Sequence, residues 1–343
     1  MTRRVRTLLV AGVLFLVLFV LAILMPVPYV VLSPGPTLNT LGTDSDGRAI
    51  ITINGRQPNQ TTGHLNLTTI DIRSTRVTAA EALIGWLQSD RVVVPRSVVY
   101  PPGQSEQQVN EQDAAQFASS QDNATAAAFC ELGYPKGFGV LGVEANTGAD
   151  GKLQPFDQLV SVDGTSVDSA LTLRAAVGDH KPGDTVTIAF KRLGKPMTAS
   201  VKLSQPGPGQ QGAVIGITVG DQCFAPFQVD LGLGGQIGGP SAGLMFALGI
   251  MDKVGNRDLT KGAFVAGTGE ITPDGAVKPI GGIQLKMLAA RRQGATIFLA
   301  PDSNCSDVRG ATPRGLNVIK VTSLHAAVQD LLAVQNGKPV PHC

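Results

Sequence analysis

Apolar residues fill the unbroken stretch 8–25, directly after Arg3, Arg4 and Arg6. Extended through Val27 to residue 31, the run is long enough as a helix to cross a hydrocarbon layer of roughly 30 Å. It predicts a transmembrane helix. No basic residue follows until Arg48, so the excess of positive charge before the run places the short N-terminus in the cytoplasm and the rest outside the cell membrane. A cleaved signal peptide is the rival reading, but the run is long for one and ends in Met25-Pro26-Val27-Pro28 without a small-x-small site. A Pro- and Gly-bearing juxtamembrane stretch covers 33–42, and the alternation of apolar and polar residues over 64–72 predicts a half-buried strand. Residues 78–87 read as a helix, Pro101-Pro102-Gly103 breaks the chain, and 105–130 reads as a polar, then Ala-rich helix with Phe117, Ala124, Ala127, Ala128 and Phe129 among its apolar positions. Trp86, the only tryptophan, is expected in a core or an interface.

From Gly137 the pattern changes to short strands between turns: 138–144, 158–162, the tight turn Asp163-Gly164, a helix at 170–177, Lys181-Pro182-Gly183-Asp184, then strands at 185–192 and 197–203. Residues 205–211 (QPGPGQQ) read as a linker. Beyond it, the apolar run 244–251 predicts a buried helix, 263–268 a strand, and 283–293 a helix that stops before Gly294 with Arg291 and Arg292 in its last turn. On that last helix Ile283, Lys286, Met287 and Ala290 share one face. Lys286 therefore sits on an apolar face, where its charge is costly unless it serves a purpose or reaches solvent.

The chain has 343 residues and 43% hydrophobic content, enough for two or three domains with cores. Lys plus Arg number 28 against 26 Asp plus Glu, a balance that argues against a nucleic-acid partner. Cys130, Cys223, Cys305 and Cys343 make an even count that suits disulfides in an oxidising compartment. No CxxC or HExxH occurs, and His64, His180, His325 and His342 are scattered, so neither a metal site nor a cofactor is expected.

The candidate chemistry centres on Gly238-Gly239-Pro240-Ser241-Ala242-Gly243, immediately before the apolar helix. Small residues around one serine let a substrate approach the backbone, and unpaired N–H groups at a helix start can stabilise an oxyanion. A Gly-rich turn with Ser as helix cap is the plain alternative. Gly239-x-Ser241-x-Gly243 also fits the nucleophile elbow of an α/β-hydrolase, with Asp302 or Asp307 and then His325 following in order, although the upstream chain lacks repeated strand–helix units. A non-catalytic membrane scaffold is the third class.

Residues 133–204 resemble a PDZ domain. Gly137-Phe138-Gly139-Val140 stands in the position of the carboxylate-binding loop, and Asp157 to Gly164 (DQLVSVDG) matches the segment that reads GD.I..VDG in bacterial members, with Phe156 in place of the usual glycine. The resemblance implies recognition of polypeptide ends by strand addition. A second resemblance is carried by Gly239-Pro240-Ser241-Ala242-Gly243, Thr268-Gly269-Glu270-Ile271-Thr272, Pro279-Ile280-Gly281-Gly282 and Lys286, followed by Leu288-Ala289-Ala290 and 295–301. These look like the proteolytic domain of Lon-type serine proteases. That implies Ser241 as nucleophile and Lys286 as general base, with Thr268 helping to hold the lysine and Gly239, Pro240 and Ala242 shaping the loop. Gly238 stands where many members have Asp.

Together, the fold class implied is an α/β (α+β) Lon-type proteolytic domain with a PDZ-like β-rich module, preceded by one transmembrane helix. The whole looks like the membrane-anchored PDZ/Lon proteins of Gram-positive bacteria. The expected organisation is a cytoplasmic tail and anchor at 1–34, one split domain from 43–132 and 206–336, and the PDZ-like module at 133–204 inserted into it. No G-x-x-x-x-G-K-[ST] loop is present, so ATP-independent cleavage of unfolded or flexible polypeptides is expected, with a homo-oligomer implied by the resemblance alone. Cys130 and Cys223 bracket the insertion and leave Cys305 with Cys343, which favours that connectivity among the three available.

Overall fold

The computed structural model describes residues 3–73, 77–207, 212–233 and 238–343. Helix α1 (Arg3–Leu24) has no buried residue and is long and apolar enough to cross a membrane. It ends earlier than the hydropathy run suggests. Pro26 and Pro28 cannot continue the helix ladder, and Tyr29 opens strand β1 (Tyr29–Asn39), so the stretch expected as juxtamembrane is instead a long strand inside the main sheet. After it come β2 (Ile51–Asn54), β3 (His64–Arg73), α2 (Ala79–Leu87), β4 (Val92–Pro95), α3 (Arg96–Val99) and α4 (Glu106–Glu131). Capping boxes start both longer helices: Thr78 with Glu81 for α2, and Ser105 with Gln108 for α4.

Next come β5 (Lys136–Val143), β6 (Gln158–Val162), β7 (Thr165–Ser166), α5 (Ala170–Val177), β8 (Thr185–Arg192), β9 (Lys195–Lys202) and β10 (Ile217–Cys223). These strands form a sheet ordered β10-β5-β6-β8-β9, with β7 on β6. Its core of Phe138, Val140, Leu159, Val162, Ile188 and Phe190 is closed by Leu173 and Val177 of α5. Asp157 is fully buried beneath it and is paired by the Arg192 guanidinium at 2.7 and 2.8 Å. Part of the expected linker, 208–211, lies outside the described residues.

The remaining elements are β11 (Gln228–Leu231), α6 (Gly243–Val254), β12 (Phe264–Gly267), β13 (Glu270–Ile271), β14 (Val277–Lys278), α7 (Ile283–Arg292), β15 (Ile297–Pro301), α8 (Cys305–Val308), β16 (Asn317–Val321) and α9 (Leu324–Gln335). The main sheet runs β16-β15-β12-β3-β1-β4, parallel from β16 to β3 and antiparallel across β3, β1 and β4. Side chains alternate between its faces as strand geometry demands. Ile297 and Leu299 of β15 join the core built with α4, α6 and α9, whereas Phe298 and Ala300 join the core under α7. A strand covered on both faces has no polar side, and β15 is accordingly buried at every position. Two disulfides close the structure, Cys130–Cys223 and Cys305–Cys343.

Of the two places expected for Trp86, the core is excluded. The residue is 58% exposed on α2, with its ring edge-on to Tyr29 at 5.6 Å.

Candidate active site

The apolar character of α6 fixes where the serine stands. All but one of its residues are buried, so the helix is gripped by the sheet and by α4, and its N-terminus has a single position. Ser241 occupies the turn just before it. That turn is held from three sides: Ser120 Oγ of α4 donates to the Pro240 carbonyl at 2.9 Å, the Gly239 N–H donates to the Asp113 carbonyl at 3.0 Å, and the Ser241 carbonyl accepts from the Gly269 N–H at 2.9 Å. Gly239 has φ +82, a backbone conformation that side chains disfavour. Gly238 has a steric reason to lack a side chain here, since a Cβ would come within 2.9 Å of the Asp113 Cβ.

Lys286 reaches the same turn from the opposite face of the sheet. Gly282, in the left-handed region with φ +67, turns the chain into α7, and one turn later Lys286 is 3% exposed. Its Nζ lies 2.7 Å from Ser241 Oγ and 3.1 Å from Thr268 Oγ1. Burial pulls the Lys286 ammonium down to about 8, because little water remains to solvate the charge. The Thr268 hydroxyl donates to the Ser241 carbonyl at 3.0 Å. That donation leaves its oxygen free to accept from Nζ, so Thr268 ties the amine to the serine turn. Among the described residues, the N–H groups of Ser241 and Ala242 have no hydrogen-bond acceptor. They are donors available beside the hydroxyl.

These groups open on a groove of about 1000 Å³. Its walls include Leu67 to Ile72 along β3, Pro36 and Leu38 of β1, and Pro279 to Gly281 before α7. The wall from β1, and the anchoring roles of Ser120 and Asp113, went unread in the sequence, where Ser119-Ser120-Gln121 resembled only a helix of the Lon proteolytic fold. The proline-glycine run 34–36 masked a strand whose register with β3 shifts between Pro34 and Thr37. Ser120 carries a signal that could have found it: a polar residue on the Ala-rich, buried face of α4.

The elbow alternative does not assemble. His325 is bound to Glu131 at 2.7 Å, Asp302 pairs with Lys320 at 3.1 Å, and neither they nor Asp307 line the groove of Ser241. The expected carboxylate-binding loop also falls elsewhere. Gly137, Phe138, Gly139 and Val140 lie within β5, paired residue by residue with β10, and the Val140 N–H and C=O are further engaged by Asp157, Phe156 and Gln222. They have no free backbone for a peptide. The open edge of that sheet on this side is β10. The four cysteines are all disulfide-bonded, tying α4 to β10 and α8 to the C-terminus. Among the described residues no cluster of His, Cys, Asp or Glu has the makings of a metal site.

Comparison with known proteins places these features. Residues 235–334 match the Lon protease (S16) C-terminal proteolytic domain, and residues 108–203 match the PDZ domain. Lon protease of Rickettsia bellii is 28% identical over 209 residues, covering 50% of this chain and 26% of the relative. Lon protease of Heliobacterium modesticaldum is 36% identical over 106 residues, 30% of this chain and 12% of the relative. The PDZ domain of an SdrC-like protein from Listeria innocua is 32% identical, covering 24% of this chain and 92% of that one with a TM-score of 0.23. The chain spans only 9% to 26% of the length of the first three curated relatives. Residues 235–334 are thus similar to the proteolytic domain of Lon-type serine proteases. This chain combines it with a PDZ domain and an N-terminal apolar helix.

Proposed function

We propose that the protein is a membrane-anchored serine endopeptidase that cleaves unfolded or flexible polypeptides without ATP. The observation that carries this reading is the buried Lys286 amine 2.7 Å from the Ser241 hydroxyl. Neutral Lys286 accepts the hydroxyl proton as Ser241 Oγ attacks the peptide carbonyl carbon. The carbonyl oxygen, now an anion, takes hydrogen bonds from the Ser241 and Ala242 N–H groups. Lys286 then returns the proton to the departing amine as the C–N bond breaks, leaving Ser241 acylated. Water attacks the ester with its proton passing to Lys286, and the carboxylic acid leaves as Ser241 recovers its hydrogen.

Helix α1 would be the single-pass anchor. Arginines on its N-terminal side favour a cytoplasmic tail and a body outside. The adjacency of β3 and β12 in one sheet supports residues 43–132 and 206–336 as parts of one split domain, with β1 joining it from ahead of those bounds and β10 joining the sheet of the PDZ module between them. In that module a polypeptide end would add along β10. Assembly as a homo-oligomer, implied by resemblance, is measured by the mass of the bilayer-embedded particle. The test of the activity is hydrolysis of an unstructured polypeptide by the full chain in lipid discs. Ser241→Ala and Lys286→Arg should both be inactive, because arginine keeps the charge but cannot act as a base, and His325→Ala should cleave normally. Activity retained in Lys286→Arg and lost in His325→Ala would overturn the reading.

A further inference from the structure

Helix α2 is apolar on two faces. Ala82 and Gly85 face inward, where a Cβ on Gly85 would touch Val93 and Val31. Outward stand Leu83 (56% exposed), Ile84 (49%), Trp86 (58%) and Leu87 (80%). Val92 and Val98, in β4 and α3 next along the chain, are exposed too. Clustered exposure of this kind marks a surface that meets something other than water.

The position of the patch says what that is. The Ala79 N–H at the start of α2 donates to the Met25 carbonyl at 3.0 Å, one residue beyond α1. The Val27 N–H donates to the Val77 carbonyl at 2.9 Å, Pro26 bridges Thr78, and Tyr29 pairs with Pro95. Backbone bonds thus fix α2, β4 and α3 beside the end of the apolar helix. Trp86 and Tyr29, in contact there, are the residue types that favour the boundary between hydrocarbon and water. Exposed Arg91 directly precedes Val92, where it suits lipid phosphates, while Arg73 pairs with Glu81 of α2 at 3.2 Å.

We propose that α2, with Val92 and Val98, rests in the headgroup boundary of the bilayer that α1 spans. This second lipid contact fixes the angle of the catalytic body on its anchor. The proposal depends on α1 being a membrane span.

Trp86 is the only tryptophan in the chain, so its fluorescence reports this contact directly. The full chain is placed in discs of phosphatidylcholine and phosphatidylglycerol. The expected result is blue-shifted emission that is weakly quenched by acrylamide and strongly quenched by lipids brominated near the headgroup. The double variant Leu83→Glu/Leu87→Glu should restore water-like emission while leaving hydrolysis of a short soluble peptide unchanged. Water-like emission from the embedded wild-type chain would overturn the lipid contact and leave the anchor standing. Blue-shifted emission that ignores bromination would overturn it in favour of a protein partner or second copy. A chain that elutes apart from the discs would overturn both the anchor and the contact.

Discussion

Thr268→Val removes one hydroxyl and almost no volume, taking away both the acceptor for the Lys286 amine and the donor to the Ser241 carbonyl. In the native site that hydroxyl oxygen sits 3.1 Å from Nζ. A hydrogen bond from a charged donor is worth about 1.5–3 kcal/mol, against about 0.5–1.5 from a neutral one. Removing the acceptor therefore penalises the ammonium more than the amine by roughly 1 kcal/mol, which lowers the Lys286 pKa by somewhat under one unit from its native value of about 8. Lys286 acts as a base only when neutral, so kcat/KM rises with pH through that value, and the rising limb of the variant should lie at lower pH. Its plateau should fall as well, because an untethered amine spends less time aligned with Ser241 Oγ. Losing a hydrogen bond of this strength corresponds to about 10-fold or more. The assay is kcat/KM for a fluorogenic peptide across pH 6 to about 10, using the full chain in lipid discs. A rising limb that stays in place with an unchanged plateau would refute the tethering role of Thr268.

Three further outcomes follow from the packing. Burial raises the Asp122 carboxyl to about 6 from an ordinary 3.8, so its contribution to stability is complete below about pH 4 and is lost as pH rises through 6. Asp122→Asn should accordingly be the more stable form at pH 7.5 by about 2 kcal/mol, with the difference vanishing below pH 4, as thermal melts followed by circular dichroism would show. Cys130 and Cys223 are 93 residues apart in sequence, and replacing both with serine should cost about 2–5 kcal/mol in a denaturant melt; an unchanged midpoint would mean the bond constrains nothing. Gly282→Ala places a Cβ 2.2 Å from the Ile70 Cδ1 at φ +67, so it should cost about 1–2 kcal/mol and reduce kcat/KM by displacing Ile70 into the groove.

Where a segment's own pattern determines its structure, the sequence was readable. The capped helices α2 and α4, the strands and helix of the PDZ module, and the turn before α6 all follow from local signals. Ser241 stood out from the small residues around it and Lys286 from its place on an apolar face, Thr268 came only from the resemblance to Lon-type proteases, and the structure brings the three together. Strand β1 was hidden because Tyr29 to Leu32 continue the hydropathy of α1, and only pairing with β3 and β4 separates the two. The role given to Gly137 to Val140 failed because which strand lies at a sheet edge is decided by β10, more than 70 residues away in sequence. Trp86 was expected in a core or an interface; it lies outside the core, and its nearness to α1 could not be read from the sequence.

The central claim is that Ser241 becomes acylated with Lys286 as its base. It is tested most directly by trapping the acyl or boronate adduct of a short peptide on the full chain and locating it by mass spectrometry. The account predicts an adduct on Ser241 whose rate of formation rises with pH through about 8. It predicts that the adduct is lost in Lys286→Met and kept in His325→Ala. An adduct on another residue, or one that forms on Ser241 equally fast in Lys286→Met, would contradict it.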